Sequence, residues 1–289
     1  MNLEDRREIL RRLAPGNLIQ PATALWRVYE IEAIFRHVHF AGRVLDLGCG
    51  DGSLARVVFS RCADPCVLVG VEPDPRDAAD ARLSKMYQDV HVAMGDAIPV
   101  PDASFDLVFS NSVLEHIPRV DRVLAEAARL LKSGGLFIFT VPSEQFHTCL
   151  AGSRWLGYLA RRRGETSAQA LDRRVRHLRY WSPEEWNLAL GEAGFELCTT
   201  HRYFPRPAVR AWERLSNWTG GLAFELFQSK SETRSLQRGL RLDWVDGLVP
   251  PRVREWCLER MLASSLNEPD PLPGEPSGGL LVVARKPGC

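Results

Sequence analysis

Between positions 46 and 52 the chain reads Asp46-Leu47-Gly48-Cys49-Gly50-Asp51-Gly52, an acidic residue followed by glycines at alternate positions. Glycine accepts positive φ and carries no Cβ, so the main chain of such a turn can lie directly against a flat or charged ligand. Arg43-Val44-Leu45 enters the turn as a strand would, and Ser53-Leu54-Ala55-Arg56-Val57-Val58 leaves it as the opening of a helix. The turn therefore sits beside free N–H groups and the positive end of a helix dipole. A dinucleotide fingerprint, G-x-G-x-x-G, would need glycine at position 53, where Ser53 stands. Twenty residues separate Gly52 from Glu72, the interval of one helix and crossover in a βαβ unit. A carboxylate at that strand end can accept hydrogen bonds from both hydroxyls of a ribose.

Placing these groups requires a set of parallel strands, and the apolar runs supply them. Residues 43–47 and 67–71 read as strands one and two, the second ending at Glu72 before Pro73-Asp74-Pro75. Strand three is expected over 90–94, followed by Gly95-Asp96-Ala97, and strand four over 105–109, followed by Ser110-Asn111-Ser112-Val113-Leu114-Glu115-His116-Ile117. A helix is expected from Val120 to Lys132, stopped by Ser133-Gly134-Gly135, with strand five at 136–141. Strands alternating with helices predict an α/β, doubly wound sheet whose ligand lies outside the carboxyl ends of the strands.

The flanks carry helical periodicity. Helices are expected at 3–13 and 23–37, and another opens at Ser182-Pro183-Glu184-Glu185, where Ser182 caps, Pro183 takes the first helical position and Glu185 completes a capping box. Strand six is expected over 195–204 and strand seven over 279–285, with a long stretch between them. Within it Val209, Trp212, Leu215, Trp218, Leu222 and Leu226 recur at helical spacing, as do Val253, Trp256, Cys257, Arg260 and Met261. Residues 264–277, rich in Pro and Glu, read as a loose linker. Residues 143–180 form a basic block in which Arg154, Arg161, Arg162, Arg163, Arg173, Arg174, Arg176 and Arg179 outnumber Glu165 and Asp172. It suits a lid that holds an anion, or a solvated helical face.

The wording of these motifs, VLDLGCGxG with FDLV and VLEHI further on, resembles the class I S-adenosylmethionine-dependent methyltransferases, in their small-molecule, type 11-like branch. The resemblance implies a Rossmann-like, doubly wound seven-stranded sheet with strand seven antiparallel. It implies a helical cap over 1–39, a core over 40–204 with the lid at 143–180 and the last core strand in 279–289; since the plain family fold joins strands six and seven by a short hairpin, residues 205–278 read as a helical insertion. It assigns cofactor contacts to Asp46, Gly48, Cys49, Gly50, Gly52, Glu72, Pro73, Asp96, Ala97, Ser110 and Asn111. Asp96 would meet the adenine amino group and the Ala97 N–H the ring. Trp26, Arg27 or Tyr29 would touch the ligand, or else only pack.

The implied reaction is in-line displacement that moves a methyl group to a small or amphiphilic metabolite, at a hydroxyl oxygen. His116 is the first candidate for a general base, since its pKa lies near neutrality; His147 and His177 are alternatives. Two other readings stay open. One is an N- or C-methyltransferase acting on a membrane-associated quinone or lipid precursor. The other is a non-catalytic module that binds the cofactor.

The 289 residues, 45% hydrophobic and 25% charged, suit a globular protein with one large core. A net charge of +1 argues against electrostatic binding of nucleic acid. The seven cysteines are scattered without a C-x-x-C pair, which argues against a disulfide framework or a metal site and predicts a cytoplasmic setting. The N-terminus lacks an apolar leader core and no stretch is long enough to span a membrane. The Trp-rich insertion leaves peripheral membrane contact or a homodimer open.

Overall fold

A computed structural model describes residues 3–14, 20–62, 66–152, 158, 160–162, 164–221 and 248–288. In chain order the first elements are α1 (Leu3–Leu13), α2 (Pro21–His37), β1 (Gly42–Leu47), α3 (Ser53–Val58), β2 (Cys66–Val71), α4 (Pro75–Leu83), β3 (Asp89–His91), β4 (Phe105–Asn111) and α5 (Val120–Leu130). They are followed by β5 (Leu131–Pro142), α6 (Phe146–Cys149), α7 (Ser167–Val175), α8 (Pro183–Glu192), β6 (Glu196–Pro205), α9 (Arg206–Ser216), α10 (Pro251–Leu262) and β7 (Ser277–Arg285). Leu222 and Leu226 of the expected stripe, and Arg154 and Arg163 of the basic block, lie outside the described residues.

The chain divides into two compact units. The sheet unit comprises Ala33–Glu144, Arg179–Arg202 and Gly279–Cys289. The strand order is β3-β2-β1-β4-β5-β7-β6. β1 pairs in parallel with β2 and β4, β2 with β3, and β4 with β5, while β7 runs antiparallel to β5. This is the seven-stranded, doubly wound sheet with an antiparallel last strand that the motifs predicted. The chain winds outward from β1 to β3 and then returns to β4 on the other side, so the order reverses between β1 and β4. That reversal is where open α/β sheets bind ligands.

The face of β5 that carries Phe137, Phe139 and Val141 is covered by α5 and α8 through Val123, Leu124, Trp186 and Leu190. Trp186 packs on Phe139 with ring centroids 4.7 Å apart. The start of α8 follows the expected capping box: Ser182 Oγ accepts the Glu185 N–H and the Glu185 carboxylate accepts the Ser182 N–H.

At two boundaries strand pairing overrides a local signal. The helix expected to reach Lys132 ends at Leu130, and β5 begins at once, with Leu131 opposite Phe105. Gly134 and Gly135 therefore do not stop a helix. They form an irregular stretch inside β5, where the Gly134 N–H reaches the Lys286 carbonyl and the Lys286 N–H the Gly135 carbonyl. β3 covers only Asp89–His91 of the run expected over 90–94, since its single partner β2 ends at Val71, opposite His91. Val92 and Met94 are consequently exposed.

The helical unit comprises Met1–Glu32, Gln145–Leu178 and Tyr203–Gly278. Its core is aromatic: Trp26 lies edge-on to Phe146 and Phe204 and tilted against Trp212. Trp26 and Tyr29 are thus packing residues of this unit, and Arg27 pairs with Glu30. The linker expected over 264–277 is not loose. Arg6, itself buried, donates to the carbonyls of Leu266 and Glu268, pairs with Asp270 and Glu32, and lies over the Tyr29 ring, whose hydroxyl donates to the Ser265 carbonyl. A Pro- and Glu-rich composition reads as mobile, but one buried guanidinium collects its carbonyls.

Replacing Arg6 with alanine leaves Glu32, 1% exposed, without the cation 2.5 Å away. Removing one partner of a buried ion pair costs about 3–5 kcal/mol. Arg6→Ala is therefore expected to lower the urea midpoint by that equivalent, whereas Arg12→Ala, at an exposed pair with Glu8, changes it by less than about 1 kcal/mol.

Candidate functional site

The turn after β1 is shaped by its glycines and tied to β2. Gly48, Gly50 and Gly52 take φ of +79°, +55° and +75°. The Gly48 and Cys49 amides both donate to the Val71 carbonyl, at 2.8 and 3.1 Å, and the Gly52 amide to the Cys49 carbonyl. Asp51 Oδ1 accepts the Ser53 N–H at the start of α3. A Cβ on Gly48 would stand 2.5 Å from Val113 Cγ2, so the turn and the segment after β4 meet at a point only glycine allows. Ser112, just before that contact, holds φ +51°, a conformation that costs a non-glycine residue on the order of 1 kcal/mol and recurs at functional sites.

Glu72 is brought onto the turn. Its Oε2 accepts the Gly50 N–H at 3.0 Å and its Oε1 the Asp74 N–H at 3.0 Å. Partial burial raises its pKa, and those two main-chain hydrogen bonds oppose the rise. A carboxylate offers about four acceptor positions, so two remain, the number that a pair of ribose hydroxyls requires. Asp74 then caps α4 by accepting the Arg76 N–H, with Pro75 at the first helical position and Pro73 exposed between.

Asp46 behaves differently from Glu72. It is 6% exposed, and its Oδ2 accepts the Tyr87 hydroxyl at 2.7 Å. Burial lifts its carboxyl to about 6; the Tyr87 hydrogen bond offsets part of this and the Glu72 charge adds to it. Tyr87 also lies within 3.3 Å of the positions that Cβ atoms on Gly52 and Gly70 would take. It is a floor for the turn that sequence reasoning missed, because an isolated tyrosine between α4 and β3 carries no pattern. Cys49 turns its thiol into a small cluster with Ala78, Ala81 and Val90, and burial pushes that thiol up out of the reactive range.

Asp96 and Ala97 follow β3, next to β2 in the sheet. The Asp96 carboxylate is half-buried and has no hydrogen-bond partner among the described residues, whereas the Ala97 N–H donates to the Met94 carbonyl at 3.2 Å. At the end of β4 the Ser110 hydroxyl donates to the Leu47 carbonyl and the Asn111 amide to Thr140 Oγ1, and both side chains are buried. They tie β4 to β1 and β5, so only their main chain could reach a ligand.

His116 ends a short 3₁₀ turn, Leu114–His116, and is exposed. Its Nε2 is 3.8 Å from Oε1 of the buried Glu115, too long for a hydrogen bond. Arg179, which the sequence placed in the basic lid, belongs to the sheet unit and donates to the Leu114 and Pro118 carbonyls on either side of His116. In the helical unit His147 Nε2 is 2.9 Å from Asp172 Oδ1, and the His177 ring lies 6.2 Å from that of Phe146.

Residues 7–200 match the family described as a methyltransferase domain. The malonyl-[acyl-carrier protein] O-methyltransferase of Geobacter sulfurreducens is 30% identical over 201 residues, 66% of this chain and 71% of that protein. The dimethylglycine N-methyltransferase of Parasynechococcus marenigrum is 37% identical over 106 residues, 35% of this chain and 38% of that protein, so this match spans less than half of the relative. Among solved structures, the [4+2]-cyclase SpnF superposes with a TM-score of 0.52 at 20% identity, covering 90% of this chain and 81% of that one. It shares the fold.

A carboxyl that keeps its proton to higher pH when folded favours folding at low pH. The Asp46 contribution is fully present below about pH 4 and is lost as pH rises through about 6. Ionised Asp46 then costs on the order of 3 kcal/mol, since each pKa unit is worth about 1.4. Asp46→Asn should therefore exceed the parent in urea stability by clearly more at pH 7.5 than at pH 4.5. Equal differences at the two pH values would contradict this.

Proposed function

Since the chain belongs to the methyltransferase-domain family, of the class I S-adenosylmethionine-dependent methyltransferases, we propose that it methylates a small or amphiphilic metabolite at a hydroxyl oxygen. The observation that carries the cofactor part is Glu72, clamped to the glycine turn with two acceptor positions left. Support for oxygen as the acceptor comes from His116 and from the O-methyltransferase relative aligned over two thirds of the chain.

S-adenosylmethionine, when bound, supplies an electrophilic methyl carbon. Glu72 would accept the ribose hydroxyls and Asp96, as a free carboxylate, the adenine amino group. Gly48, Gly50 and Gly52 keep side chains out of the way, with the main chain of Cys49, Pro73, Ala97, Ser110 and Asn111 completing the wall. Asp46 acts from beneath, through Tyr87, on the shape of the turn. Holding two reactants in line supplies on the order of 7–11 kcal/mol in the best aligned cases, without a covalent enzyme intermediate. His116 would hold the acceptor's hydroxyl proton as it leaves, in a loop that Arg179 fixes. The cap over 1–39, the lid over 143–180 and the insertion over 205–278 are assigned to acceptor choice.

A membrane-associated quinone or lipid precursor is the second reading, and α10 favours it. Trp256, 65% exposed, stands on one face of that helix with Arg252, Val253 and Arg260, all exposed. An aromatic ring between arginines suits an anionic bilayer interface. No helix among the described residues is long and apolar enough to cross a membrane; the contact we propose is peripheral, by a cytoplasmic enzyme.

Glu72→Ala is expected to weaken S-adenosylhomocysteine binding by about tenfold or more in calorimetry, the worth of one or two hydrogen bonds to a charged group; unchanged affinity would overturn the cofactor assignment. His116→Ala should lower kcat by about 10²–10⁴-fold with cofactor affinity intact. The acceptor is found by radiolabelled methyl transfer into metabolite extracts, and sedimentation with anionic liposomes, lost in Trp256→Ala, would favour the membrane-associated class.

A further inference from the structure

The helical unit contains a cavity of about 280 Å³. Its walls come from three segments: the end of α6 and the residues after it, one face of α7, and the end of α9. Along α7 the lining positions 167, 170, 171 and 174 fall at helical spacing, and on α9 the lining residue Glu213 is four positions before Asn217 just beyond its end. The volume lies just under the roughly 300–1,000 Å³ typical of drug-sized ligands. It suits one small metabolite.

The chemistry of the walls is not that of a packing defect. The cavity opens to solvent at Ala151, Gly152 and Ser167, and its lining sets Arg174, Glu213, His147 and Asn217 beside Leu150 and Leu171. Each polar group is oriented by a neighbour. Arg174 donates to Asn217 Oδ1 at 3.0 Å and Ser216 Oγ at 3.1 Å, which fix the plane of its guanidinium. Glu213, although buried, accepts the Ala151 and Gly152 amides at 2.7 and 3.0 Å. His147 is set against Asp172. A fixed guanidinium recognises phosphate or carboxylate through parallel N–H donors, and a carboxyl group in the same lining can accept a hydroxyl hydrogen.

We propose that this cavity is a binding site for a small organic anion, a phosphate or carboxylate ester or acid that also carries hydroxyl groups, with Arg174 taking the anion and Glu213 a hydroxyl. The proposal goes beyond methyl transfer and stands on the helical unit alone.

The full-length chain is titrated calorimetrically with glycerol 3-phosphate, inorganic phosphate and glycerol. Glycerol 3-phosphate is expected to bind at least about tenfold more tightly than either fragment, and Arg174→Gln to weaken both phosphate-bearing probes by about tenfold or more. Ala168→Leu, which narrows the cavity from α7 and removes no charge, should abolish binding and decides the matter if Arg174→Gln fails to fold. No heat from glycerol 3-phosphate, or affinity unchanged in Ala168→Leu, overturns the proposal and leaves a water-filled cavity. S-adenosylhomocysteine titrated into the same parent sample reports on the cofactor assignment separately, so either reading can fail alone.

Discussion

The Glu72 carboxylate and the Gly50 amide face each other across the ends of two parallel strands, and the rest of the site depends on that hydrogen bond. It forms because β1 and β2 run in register from Gly42 opposite Cys66 to Leu47 opposite Val71, which delivers both chain segments to the same level. The Val71 carbonyl then receives two amides of the turn, so the glycines are fixed from the side of β2 as well as by their own φ values. A shift of one residue in this register would turn the carboxylate to the other face of the sheet.

Around this contact the chain accepts strain and desolvation that a fold selected for stability alone would discard. Asp46 is ionised in a buried site at neutral pH, beside a second carboxylate, with one tyrosine hydroxyl as partner. Ser112 holds a positive φ in the segment whose Val113 fills the space that a Cβ on Gly48 would need. Costs concentrated at one end of a sheet, where its strand order reverses, are a pattern that functional sites share.

The helical unit is stabilised by other means. Its aromatic rings around Trp26 supply apolar burial, and Arg6 gathers carbonyls and carboxylates from segments more than 200 positions apart. A buried carboxyl group also appears at Glu213, where it is met by main-chain amides. Some buried polar groups in this unit are thus satisfied by long-range partners, and a cavity with oriented polar side chains stands among them.

Sequence alone determined those features that follow from a few neighbouring residues: the alternate glycines with positive φ, Glu72 at the end of an apolar run, the capping box at Ser182, and the order of strands and helices. Each is governed by local sterics or by a periodicity of two or 3.6. Only the tertiary structure decided that Asp46 is covered by Tyr87, that the Ser110 and Asn111 side chains bind sheet neighbours, and that β5 begins at Leu131 ahead of its glycines. It also decided that residues after Ser264 are ordered by Arg6. In all four the outcome rests on a partner 26 or more positions away, and no local pattern records which partner a buried polar group or an extended backbone will meet.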